Sequence, residues 1–159
     1  MGGAASSTSA PASRNKAPAA RSQPGSPAAV TSAAVLALKE TGDPRFAPLL
    51  KNAQKYLLTM QSDESEGYAP DNKFYGGAGY GNDERPDMSN MNFWMDALQA
   101  TGVSKDKAAL KKALVFLDRC QNRSESNTGE WKDVKTGDTF VSGNDGGAIY
   151  MPGNSFAGT

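Results

Sequence analysis

The sequence contains no histidine and one cysteine, Cys120, in 159 residues. A lone thiol forms no internal disulfide, and without imidazoles it cannot complete an ordinary zinc site, so a metal bound by this chain alone would need a carboxylate-rich ligand set. No window approaches the roughly 18 consecutive apolar residues of a transmembrane helix. The N-terminus also lacks the apolar core of a secretory signal, and the sequence assigns no compartment. Residues 1–27 lack Val, Leu, Ile, Phe, Tyr and Trp altogether and consist largely of Ala, Ser, Pro and Gly. Such a segment has almost nothing to bury against the entropy of ordering, which predicts a disordered tail.

Acidic residues are missing from that tail as well. It carries Arg14, Lys16 and Arg21, which leaves 14 basic against 17 acidic residues in the remainder. A mildly acidic domain has no electrostatic footprint for nucleic acid, and three spaced tail cations read as a solvated segment. Met1-Gly2-Gly3-Ala4-Ala5-Ser6 fits the N-myristoylation pattern at Gly2, a short pattern that low-complexity starts also match by accident.

What is present is an internal repeat. Ala34-Val35-Leu36-Ala37-Leu38-Lys39-Glu40-Thr41-Gly42 returns sixty residues later as Trp94-Met95-Asp96-Ala97-Leu98-Gln99-Ala100-Thr101-Gly102, with four of nine positions identical. The register continues through Leu50 and Leu110, Ala53 and Ala113, Tyr56 and Phe116, and Gln61 and Gln121. The second copy then runs about ten residues longer before Gly146-Gly147-Ala148-Ile149-Tyr150 answers Gly76-Gly77-Ala78-Gly79-Tyr80. The copies span about 28–82 and about 88–159.

Each copy predicts two helices. The first should run from about Pro27 to Thr41, stopped by Gly42, and the second from Pro48 to near Gln61. A third should start at a Ser89 cap and stop at Gly102, and a fourth should run from about Lys105 to Gln121 behind a Ser104 cap. The second and fourth are amphipathic: Leu110, Ala113, Leu114 and Leu117 recur at helical spacing with charges elsewhere. The first and third are apolar around most of their circumference, the third keeping only the strip Asn92, Asp96 and Gln99. Alternation of nearly buried with amphipathic helices is what concentric packing requires, with an inner ring around a lumen and an outer ring facing water.

The residues closing each copy resemble the QW repeat of the terpene cyclase and protein prenyltransferase superfamily. They are Lys51, Ala53, Tyr56, Leu57, Gln61, Gly67 and Tyr68 in one copy, and Lys111, Ala113, Phe116, Leu117, Gln121, Gly129 and Trp131 in the other. Together with Tyr75 to Gly81 and Asp145-Gly146-Gly147, they resemble bacterial squalene-cyclase-like repeat proteins. The resemblance implies an all-α, incomplete α/α toroid of two helix hairpins with long glycine-rich loops. Gln61, Tyr68, Gln121 and Trp131 would be structural staples, the aromatic shielding the glutamine amide. The implied ligand is an isoprenoid or another apolar molecule, with no cofactor expected. The aspartate-rich acid motif of the cyclases is absent, as is the histidine of the prenyltransferase zinc site. Two helix pairs are also fewer than a closed toroid needs, which leads to the expectation of a truncated chain. Its apolar flanks would be covered by further repeats or a self-partner.

The candidate site lies on the third helix. Asp96, if it faced a dry lumen, would be a proton donor or a cation-stabilising charge, and Phe93 and Trp94 would offer ring faces to cationic intermediates. Asn92 and Gln99 share the polar strip. Leu36 occupies the position of Asp96 in the first copy, and Phe93 and Trp94 also fit an ordinary core. The acidic loop Asp83, Glu84 and Asp87 reads as helix-entry electrostatics, the glycine runs as tight turns and Cys120 as a small buried hydrophobe. The same sequence allows a non-catalytic repeat module that binds protein, glycan or lipid.

Overall fold

The computed structural model describes residues 27–80, 85–104, 107–132 and 136–153. Gly2 and all but the last residue of the expected tail lie outside the described residues, as do Asp83 and Glu84 of the acidic loop. The protein is mostly helical: α1 (Pro27–Glu40), α2 (Ala47–Leu58), α3 (Met88–Ala100) and α4 (Ala108–Cys120). A short antiparallel pair, β1 (Glu130–Lys132) and β2 (Thr139–Val141), sets Trp131 opposite Phe140. This pair falls within the extra length of the second copy, where no β-structure was expected.

Local chemistry sets the helix ends. Proline opens α1, where its missing N–H costs no helical bond, and α1 stops at Gly42, which takes a φ of 64°. A 3-10 turn, Pro44–Phe46, capped by the Asp43 carboxylate on the Arg45 N–H, leads into α2. α3 is capped by Asp87, two residues before the expected Ser89. The buried Asp87 carboxylate accepts from the Asn90 backbone N–H (2.9 Å), the Asn90 side-chain amide (2.6 Å) and the Ser89 hydroxyl (2.6 Å). Its two oxygens take three donors together, more than one serine hydroxyl oxygen would hold. α4 begins at Ala108 behind Lys107, with no side-chain cap, so Ser104 does not serve as one.

α1 packs on α2 and on α3, and α3 packs on α2 and on α4. The shared core joins Val35, Leu57, Ala78, Met91, Trp94, Ala97, Leu98, Leu110, Ala113, Phe116, Cys120 and Met151. Trp94 is fully buried, and its indole N–H donates to the Leu57 carbonyl at 2.7 Å, tying α3 to the end of α2. Burial of a ring such as Phe116 contributes roughly 1.5–3 kcal/mol. The expectation that α1 and α3 are buried on most sides is not met. Val30, Ala33, Ala34 and Ala37 are exposed on α1, and Asn92, Phe93, Asp96 and Gln99 on α3, because each helix has neighbours on only part of its circumference.

The chain reverses after α2 and after α4 with matching backbone bonds. Ser62 N–H donates to the Gly77 carbonyl (2.8 Å) and Gly76 N–H to the Ser62 carbonyl (2.7 Å). At the corresponding positions Asn122 N–H donates to the Gly147 carbonyl (2.7 Å) and Gly146 N–H to the Asn122 carbonyl (3.1 Å). Isolated bridges Gln61 to Ala78 and Gln121 to Ala148 complete the two turns.

Candidate functional site

Three helical positions place Phe93, Asp96 and Gln99 on the open side of α3, with Asn92 beside them. Phe93 is 49% exposed. Asp96 stands in water and not in the dry surroundings that its proposed acid role requires. Trp94 points away from this group into the core, so its ring face is unavailable to a ligand there. Among the described residues no cluster of three or more His, Cys, Asp or Glu is placed to hold a metal ion. No described helix is long and apolar enough to cross a membrane.

The four staple residues behave unequally. The Gln61 amide donates to the Gly76 carbonyl (2.9 Å) and across to the Ala109 carbonyl in the first turn of α4 (2.8 Å), which stitches the loop after α2 to α4. Tyr68 donates its backbone N–H to Asp63 (2.9 Å). Gln121 ends α4 through its backbone, and the amide at that end belongs to Asn127. The Asn127 side chain donates to the Arg119 (2.9 Å) and Gln121 (3.1 Å) carbonyls and accepts from the Trp131 indole N–H (2.9 Å). Trp131 therefore pairs with Asn127. Sequence spacing pointed to Gln121 because it matches Gln61 in register, whereas Asn127 lies in the longer loop that has no counterpart. Beside it Asp118, Arg119, Asn127 and Trp131 line a shallow pocket of about 300 Å³. Arg119 spans from this pocket to the first loop, donating to the Pro70 and Asn72 carbonyls at 2.6 Å each.

A second polar group joins the same two regions. Lys112 on α4 pairs with Asp63 (2.8 Å) and with Glu64, and the Tyr75 hydroxyl donates to Glu64 (2.8 Å). Burial alone would push the Asp63 carboxyl up, but its bonds to Lys112 and Ser65 bring it below the usual carboxylate range. The Lys112 bond lowers Glu64 likewise, and Asp63 first, then Glu64, raises Lys112 above its ordinary value. Burial pushes the Cys120 thiol up to about 12, which fits an inert core residue and not a nucleophile.

Comparison with known protein families, with curated proteins and with solved structures gives no match for this chain.

Proposed function

We propose that the chain is part of the wall of an α/α toroid of the terpene cyclase and prenyltransferase type, in which α1 and α3 face a lumen that takes an isoprenoid chain. The observation that carries the reading is the matched pair of turns, one after each of the amphipathic helices α2 and α4. Phe93 supplies an apolar contact on the inner side, and Asp96 beside it supplies orientation. The water around Asp96 favours binding over acid catalysis by this segment alone. That same observation also favours the second reading, a non-catalytic repeat module for protein, glycan or lipid, since fold does not decide function.

Equilibrium binding of radiolabelled farnesol to the full chain, with squalene as competitor and product analysis alongside, tests the reading. Saturable binding is expected with no cyclised product, and Phe93→Asp should weaken it about tenfold, or 1.4 kcal/mol. Absence of saturable binding by a chain with intact helical circular dichroism would pass the case to the second reading.

A further inference from the structure

We propose that the chain associates head to tail with a second copy of itself, the α1–α2 end of one molecule seating on the Gln121 and Gly146–Gly147 end of the next. This rests on the reading of two equivalent helix pairs and is independent of any ligand.

The seat of α4 on the first turn is the template. Ala109 accepts the Gln61 amide there, a Cβ on Gly76 would lie 1.8 Å from the Lys112 carbonyl oxygen, and one on Gly77 would lie 2.9 Å from the Phe116 ring. Ala113 and Phe116 are fully buried by this contact and by the core. Sixty residues earlier these helix positions are Leu49, Asn52, Ala53 and Tyr56. There Leu49 is 53% and Tyr56 39% exposed, so the corresponding face of α2 has no seat among the described residues. The inner helices follow suit: α3 buries Trp94 and Ala97, while Ala34 and Ala37 of α1 are exposed beside Val30 at 65%.

At the other end no described helix occupies the seat. Among the described residues a Cβ on Gly146 would meet nothing within 4 Å, and one on Gly147 would meet only Asp145 of its own turn. Gln54 of α2 reaches across to the Thr101 carbonyl (2.8 Å), but its counterpart on α4, Leu114, is 55% exposed. Each end therefore presents what the other lacks, which is the condition for a heterologous contact. The charges agree as well. Lys112 faces Asp63 and Glu64 in the template, and in the new contact Asn52 would face Ser124 and Arg123, the latter already paired with Glu125, so the cation has left the helix where the acids have left the two matching positions. A lysine kept at position 52 would have met an arginine.

Sedimentation velocity of the 159-residue chain over rising concentration tests this. Species at multiples of 16.7 kDa are expected. Tyr56→Lys breaks the offered face and Leu114→Lys the receiving one. Both positions are exposed, so circular dichroism should be unchanged while self-association weakens by at least about tenfold. An equimolar mixture of the two variants retains one intact face of each kind and should form a dimer and nothing larger. A wild-type chain that stays at 16.7 kDa throughout overturns the proposal, as do variants that associate like wild type or a mixture that gives no dimer.

Discussion

Gly76–Gly77 and Gly146–Gly147 follow α2 and α4 in turns with matching backbone bonds, yet among the described residues only the first pair has a helix pressed onto it. Around the first turn, α4 contributes a backbone carbonyl, a phenyl ring and a lysine that pairs with two acids. The second turn is braced from within: the Asn122 amide donates to Asp145 (2.7 Å), and the Asp145 carboxylate accepts from Gly147 N–H (2.8 Å). One backbone shape thus serves two stability regimes, and the difference lies in what packs on it. Position for position, substitutions should be costly in the first turn and cheap in the second.

The largest contrast is expected between Gly76→Ala and Gly146→Ala. Both glycines have positive φ, but only Gly76 would drive a Cβ into backbone, so urea denaturation should show a loss of about 3–5 kcal/mol for the first and about 1 kcal/mol for the second. Similar losses would remove the distinction between the turns. Next come the glutamines. Gln61→Ala leaves the Gly76 and Ala109 carbonyls without their amide donor and should cost about 2–3 kcal/mol, against about 0.5 kcal/mol or less for Gln121→Ala. Asn127→Ala should fall between them, at about 1–2 kcal/mol, because it releases the Arg119 and Gln121 carbonyls and the Trp131 indole together.

A smaller effect separates the turns by pH. Asp63 and Glu64 are held below their unfolded values of 3.8 and 4.5, so their contribution is complete above those values and is lost as pH falls through the folded ones. Lys112 is raised above 10.5, so its share is intact below that pH and fades only as pH rises through the folded value. Lys112→Met should therefore flatten the acid limb of a stability–pH curve. An unchanged limb would show that the ion pair is too well solvated to matter. The smallest expected signal is at Cys120, whose thiol should stay unmodified by a disulfide reagent until the chain unfolds.

Much of the fold was legible because helical spacing and glycine stops are local. Gly42 and Gly102 end α1 and α3 as the sequence implied, and of the apolar stripe of α4 Leu110 and Ala113 lie in the core and Leu117 packs against it, whereas Leu114 is exposed. Other features depended on partners far along the chain. Asp87 displaces Ser89 as the α3 cap because a buried carboxylate satisfies several donors there, including the Asn90 side chain. The breadth of apolar sequence on α1 and α3 suggested burial on most sides, but apolar composition records what a surface prefers and not whether a neighbour is present, and Phe93 and Val30 stand open. Trp94 and Phe93 are adjacent and chemically alike, so sequence grouped them as candidates for one site, and the turn of the helix sends one to the core and the other to solvent. The Asn127–Trp131 pair was hidden because the longer second loop breaks the register that identified Gln61 and Gln121.

Amide hydrogen exchange, run dilute enough that the chain is monomeric, addresses the comparison most directly. The Ser62 and Gly76 N–H groups, sealed under α4, should exchange at least about tenfold more slowly than those of Asn122 and Gly146, which make the same bonds with no described helix above them. Equal protection at the two pairs would contradict the claim that the seated helix, and not the turn itself, is what separates the two ends of this molecule.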